Sequence, residues 1–130
     1  MKATTISFKT PAKVNLGLHI LGKREDGFHE LETLFQMVKL FDEIKIECIP
    51  SGLELVCNRP DIPQDQGNLA IKAAKILQTK FPGRCKGARI HLNKNIPHGA
   101  GLGGGSGNAA GVLLGLNFLL FRQNFEKWYK

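Results

Sequence analysis

Cysteine is scarce here and odd in number. Cys48, Cys57 and Cys85 are the only three, and none falls in a C-x-x-C or metal-ligand spacing. That argues against a disulfide framework and a cysteine-ligated metal, and it fits buried thiols in a reducing, cytoplasmic setting. Long apolar runs are also missing. The longest, Val112 to Phe121, is broken by Gly115 and Asn117 and falls short of the ~20 residues that span a bilayer. The opening M-K-A-T-T-I-S-F-K-T has no apolar core of signal-peptide length. No membrane partner is therefore expected. Aromatic residues are only 8% and do not interleave with basic ones, and no DNA-binding motif occurs, so no nucleic-acid partner is expected either. The 18 Lys and Arg outnumber 11 acids to give +7, but they are scattered along the chain. Such a basic surface favours anionic phosphates in general. With 130 residues, 42% hydrophobic and 22% charged, the chain reads as one globular domain able to bury a core.

Glycine is what the sequence has in excess, and six of its glycines fall between Lys94 and Ala110, in K-N-I-P-H-G-A-G-L-G-G-G-S-G-N-A-A. Without Cβ atoms such a loop can turn through positive φ and bring its N–H groups close to a ligand. An apolar helical run follows at once. A helix starting near Gly105-Ser106 adds N–H groups without intrahelical partners and the positive end of a dipole, a setting for phosphate. Ser106 and Asn108 can each cap that helix or bond a phosphate oxygen, and the sequence leaves both roles open. A flexible linker is disfavoured, because linkers do not usually sit between an alternating strand and an apolar helix. No lysine closes the glycines as a P-loop requires. Gly99-Ala-Gly101-Leu-Gly103-Gly104 satisfies G-x-G-x-x-G formally, but no second strand ending in Asp or Glu follows, so a dinucleotide site is a poor fit.

Upstream, Ile6 to Thr10 alternates as a short strand before Pro11. Val14, Leu16, Leu18 and Ile20 then alternate with Lys13, Asn15, Gly17 and His19, which predicts a strand with the first set buried. On spacing alone, Lys13 and Asn15 are ordinary solvent-facing strand residues. Arg24-Glu25-Asp26-Gly27 reads as a hairpin turn. Leu31 to Leu40 predicts a strand, Asp42-Glu43 a turn, Ile44 to Ile49 a strand and Leu53 to Cys57 a shorter one. Asn68-Leu69 opens a helix with Leu69, Ala70, Ala73, Ile76 and Leu77 at helical spacing, ending before Pro82. Asn68 is either its cap or a site residue. Ala88 to Leu92 is the strand that leads into the glycine loop. The helix from Ser106 to Phe121 is expected to bury Ala109, Val112, Leu113, Leu116 and Leu120.

Three blocks together are more specific than any one. P-x-G-x-G-L-G-G-G-S-x-N-A-A, the P-A-K-V-N-L of residues 11 to 16, and R-E-D-G-F-H of residues 24 to 29 stand in the order found in the GHMP kinases. The chain closely resembles that family over residues 10 to about 119. It is most similar to the branch acting on 4-diphosphocytidyl-2-C-methyl-D-erythritol, in the non-mevalonate route to isoprenoids. The resemblance implies an α+β fold, a mixed, mainly antiparallel sheet with helices packed on one face. It implies ATP with Mg²⁺, and phosphorylation of the 2-hydroxyl of that cytidine-diphosphate-linked methylerythritol.

By the same resemblance, Lys13 lies beside the reacting hydroxyl and the γ-phosphate. Pro97, His98, Gly99, Ala100, Gly101, Leu102, Gly103, Gly104, Gly105, Ser106 and Gly107 hold the ATP phosphates. Asn15, Phe28 and His29 hold the acceptor, with Phe28-His29 at the cytosine. No metal-ligating residue is assigned. Two departures stand out: Phe28 replaces a tyrosine, keeping the ring face and losing the hydroxyl, and Gly107 replaces a serine. Family members continue into an L-G-x-D-[VI]-P segment, whose aspartate is the proposed base, and a C-terminal domain. Neither is matched by F-R-Q-N-F-E-K-W-Y-K, so residues 1–130 are expected to be the N-terminal, ATP-binding domain, largely inactive alone. The alternatives are another GHMP small-molecule kinase and a non-catalytic nucleotide-binding remnant.

Overall fold

The computed structural model describes residues 4–128, without the side chains of Leu18 and residues 122–128. Two long strands, β1 (Thr5–Lys23) and β2 (His29–Cys48), form an antiparallel hairpin. A short strand β3 (Gly52–Cys57), helix α1 (Leu69–Lys80), strand β4 (Gly87–Asn93) and helix α2 (Gly104–Trp128) follow. The sheet order is β1-β2-β4-β3, antiparallel except for the parallel β3/β4 pair. This is the expected α+β sheet with its helices on one face.

The core follows from period two. Ile6, Ile46, Ile90 and Leu55 stand in one register row across all four strands, with Phe8, Ile44, Leu92 and Cys57 in the next. These side chains meet Ala70, Ile71, Ala73 and Ala74 of α1 and Val112 and Leu116 of α2. Burying each large aliphatic contributes about 1.5–3 kcal/mol. Glycine lets α2 lie close: a Cβ on Gly111 would stand 2.6 Å from Thr10 Cγ2, and one on Gly115 would stand 2.7 Å from Phe8 Cε1. The span Gly104–Phe121 is apolar and long enough for a membrane by composition, with mean hydropathy 1.3. A third of that span is buried, with Val112 and Leu116 at 0% exposure against the sheet, while Leu113 and Leu114 are exposed. Helical geometry breaks at Phe121, whose φ and ψ are −122° and 16°. There Phe81 meets the Phe121 ring edge-on and the Arg84 guanidinium lies over it.

Several expectations are corrected. The two strands expected around Pro11 are one, because a register shift at Pro11/Ala12 accommodates the proline without ending the pairing. Alternation predicts a buried face for Val14, Leu16 and Ile20, yet Val14 is only half-buried and Leu16 and Ile20 are exposed. This part of the hairpin pairs with β2 alone and, among the described residues, has no helix beneath it. Leu18 lies outside the described side chains. Asp42-Glu43 is no turn, and β2 runs straight through it. In α1 the buried stripe is Ala70, Ile71, Ala73 and Ala74, while Leu69 and Ile76 face solvent. Leu113 of α2 is likewise exposed.

Candidate active site

The site grows from the end of β4. After Asn93 the chain turns at Lys94 to Ile96 and enters the glycine loop. Gly99, Gly101 and Gly103 take φ of 71°, 75° and 71°. An L side chain at such angles costs roughly 1–2 kcal/mol, so the alternation of glycines has a conformational cause. The loop delivers the chain to α2 one step earlier than the sequence suggests. Gly104 is the first helical residue, and the Gly103 carbonyl accepts the N–H of Gly107 at 2.9 Å. Ser106 is therefore inside the first turn, exposed, and not the cap. No acidic residue stands in that turn to compete with an anion. N–H groups there have no intrahelical acceptor, and the dipole favours negative charge by about 0.3–1 kcal/mol.

Strand β1 brings Lys13 onto the loop. Its backbone N–H donates to the Leu102 carbonyl at 2.9 Å, and its Nζ donates to the Gly101 carbonyl at 3.3 Å. The ammonium also stands 5.3 Å from the Phe35 ring centroid. Asn15, two positions on, is exposed and pairs opposite Phe35. Lys13, Phe35, Met37, Gly103, Ser106 and Leu114 help line a cleft of about 1010 Å³ between the hairpin and α2. A smaller recess, about 260 Å³, includes Ile62, Asn68, Leu69, His98 and Gly105 in its lining.

Not every expected residue joins them. Phe28 and His29 sit at the hairpin tip, where Asp26 Oδ1 accepts the Phe28 N–H at 3.1 Å. Lys13 pairs with Met37 and Lys23 with His29, so ten strand positions lie between the tip and the loop. At ~3.3 Å per residue that is at most roughly 33 Å along the strand. Phe28 is 73% exposed, a ring face open to a ligand. Asn68 is the α1 cap: its Oδ1 accepts the Ala70 N–H at 2.8 Å and its Nδ2 donates to the Pro63 carbonyl at 2.9 Å.

Asn108 is withdrawn from both roles left open for it. It is buried, donating from Nδ2 to Thr10 Oγ1 at 3.0 Å and to Asp42 Oδ2 at 2.9 Å. Asp42, read as a turn residue, is fully buried and accepts from Lys94 Nζ at 2.5 Å. Burial pushes its carboxyl pKa up, but donors from Ile96, Lys94, Asn108 and Asn95 outweigh that and hold it below the usual carboxylate value. A usable signal existed in the sequence. Thr10, Asp42 and Lys94 are in phase with the inward residues of β1, β2 and β4, as is Asn108 with Val112 and Leu116.

The fold and loop define a class. Residues 68–128 match the model of the GHMP kinases' N-terminal domain. Among its relatives are two named 4-diphosphocytidyl-2-C-methyl-D-erythritol kinase. That of Desulfotalea psychrophila is 50% identical over 129 residues, covering 96% of this chain and 42% of the relative. That of Acaryochloris marina is 48% identical over 114 residues, covering 87% and 36%. A crystal structure of a 4-(cytidine 5'-diphospho)-2C-methyl-D-erythritol kinase superposes with a TM-score of 0.76 at 46% identity, over 89% of this chain and 41% of that one. Homoserine kinase from Cytophaga hutchinsonii, at 20% identity and TM-score 0.66 over 95% of this chain and 38% of its own, shares the fold. The chain thus spans about two fifths of the length of the relatives it matches.

Proposed function

We propose that this chain carries the phosphate-holding part of an ATP-dependent kinase acting on the 2-hydroxyl of 4-diphosphocytidyl-2-C-methyl-D-erythritol. The observation that carries the reading is Lys13, bonded by main chain and side chain to the loop that opens α2. Phosphoryl transfer needs little covalent chemistry from a protein. It needs phosphates held in place and positive charge where the transferring group develops negative charge. Residues Pro97 to Gly107 would hold the ATP phosphates on loop N–H groups and the N-terminus of α2. Lys13 would stand at the transferred group, Asn15 would help hold the acceptor, and Phe28 with His29 would receive the cytosine ring.

Mg²⁺ would arrive on the ATP phosphates, as it commonly does, rather than in a protein cage. Among the described residues no group of three or more His, Cys, Asp or Glu is arranged to hold a metal. We assign residues 1–130 to the ATP-binding N-terminal domain, in a cytoplasmic enzyme with small-molecule substrates. The sequence similarity to the named kinases supports that substrate over those of other GHMP kinases. Two measurements test the proposal: calorimetric titration of this chain with Mg-ATP, and ADP release by a version extended to the relatives' length. Saturable Mg-ATP binding, with ADP release stimulated by the cytidyl substrate and not by mevalonate or homoserine, is expected. No binding, or stimulation by another alcohol, overturns it.

A further inference from the structure

Beneath the glycine loop lies a buried ionic cluster that none of the roles above uses. Asp42 is 0% and Lys94 6% exposed. Asp42 Oδ1 accepts the backbone N–H of Asn95 at 2.7 Å and of Ile96 at 2.8 Å. Its Oδ2 accepts from Lys94 Nζ at 2.5 Å and from Asn108 Nδ2 at 2.9 Å. A carboxylate has about four acceptor positions, so this one is saturated from within. Asn108 Oδ1 in turn accepts from Lys94 Nζ at 2.9 Å. Lys94 stands where a phosphate-binding lysine would be sought, yet its ammonium lies under the first turn of α2. A Cβ on Gly104 would be 2.9 Å from it.

The loop this cluster underlies is rich in glycine, whose unfixed backbone samples many conformations. One carboxylate holds both the start of the loop, at Asn95 and Ile96, and the first turns of the helix that ends it, at Asn108. The separation of the loop's two ends is thereby set. Lys13 then meets the middle of the loop at Gly101 and Leu102. Apolar residues filling the same space would leave the two backbone N–H groups unanswered, which gives the ionic cluster a geometric reason to exist. We propose that Asp42, with Lys94 and Asn108, is a positioning residue that sets the glycine loop against Lys13 in its phosphate-holding form. The phosphate part of this rests on the function proposed above; the positioning part does not.

The test uses the Lys13 N–H, which bonds Leu102 and does not touch Asp42. In Asp42→Asn the new amide NH₂ must face either two backbone N–H groups or the Lys94 and Asn108 donors. Hydrogen exchange at Lys13 and at Asn95–Ile96 should accelerate at least tenfold, while Ile90 keeps its protection, and the Kd for Mg-ATP should rise at least tenfold. Leu55→Val, which loosens the core from the β3 edge, should lower Tm and leave Kd and Lys13 exchange unchanged. Joining Lys94→Met to Asp42→Asn removes the opposed donor and should recover part of both losses. Asn108→Ala, keeping the ion pair, should show the same pattern at roughly threefold if Asp42→Asn fails to fold. Exchange that rises uniformly over the sheet with Kd unchanged, or a Lys13 N–H as protected as in Leu55→Val, overturns the proposal. If the unaltered chain binds no Mg-ATP, the phosphate reading falls and Lys13 exchange alone decides the positioning role.

Discussion

The stem of Lys13 lies across Gly103, so closely that a Cβ there would stand 2.8 Å from Lys13 Cε and 3.0 Å from Cγ. Two stretches 90 residues apart in sequence are thus one surface. Glycine at 103 serves both its own positive φ and the passage of the lysine.

Gly103→Ala should therefore act twice. The left-handed φ of 71° adds about 1–2 kcal/mol of strain, and the methyl displaces Lys13. We expect weakened Mg-ATP binding by calorimetry and a loss of kcat on the order of 10²-fold in a version of relatives' length, as for removal of one oxyanion donor. Wild-type affinity and turnover would detach Gly103 from the site.

Two α2 glycines should respond in opposite directions to the same change. A Cβ on Gly107 meets only ordinary contacts, Pro11 O at 3.6 Å and Thr10 Cβ at 4.0 Å. Gly107→Ala should stabilise by about 0.5–1 kcal/mol through helix propensity. Gly115→Ala should destabilise by about 1–3 kcal/mol, because its methyl overlaps Phe8 and Ile46. Urea denaturation of both variants decides it, and shifts of the same sign would refute the close approach of α2 to β1.

Asp42 should give stability an acid limb. Its folded pKa lies below the ordinary 3.8, so its contribution is complete above the unfolded value and is lost as pH falls through the folded one. The stability gap between the unaltered chain and Asp42→Asn should be constant from pH 5 to 7 and shrink below pH ~4. A gap that widens in acid would reverse the sign assigned to this carboxyl.

Phe28→Ala should leave Tm nearly unchanged, since the ring is 73% exposed and such surface changes move stability by at most ~0.5 kcal/mol. At relatives' length it should raise KM for the cytidyl substrate, by the ~1–3 kcal/mol typical of base stacking, and spare KM for ATP. Equal damage to both constants would make Phe28 a structural residue.

Asn68→Ala should lower stability by about 1 kcal/mol, the usual loss on removing a helix cap, with rescue by Asn68→Asp or Asn68→Ser. A change in Mg-ATP affinity that these caps do not rescue would give the Asn68 amide a second role in the adjoining recess.

Much of the fold is legible in the sequence. Clean alternation over Ile44–Cys48 and Ala88–Leu92 marks inward and outward faces because both strands have a helix layer on one side. The same logic failed for Leu16 and Ile20. Alternation reports a strand that can bury one face, and the burial itself needs a neighbouring layer which the outer hairpin lacks among the described residues. Asp42 was misread for a related reason. Aspartate is a turn former through local backbone N–H groups, and here the N–H groups it accepts lie more than fifty residues away at Asn95 and Ile96.

By itself, then, the sequence determined the glycine loop with its helix, the strand carrying Lys13, the hairpin turn before Phe28 and the likeness of all three to the GHMP kinases. Each of these is local, written in short-range spacing and in the conformational freedom of glycine. Only the tertiary structure decided that Lys13 bonds Gly101 and Leu102. It alone joined Asn108 and Lys94 to Asp42, and it left Phe28 at the far end of the hairpin. Those outcomes depend on which strands pair and in what register. Because a buried carboxylate must be answered by donors wherever the fold brings them, no local pattern could have named its partners.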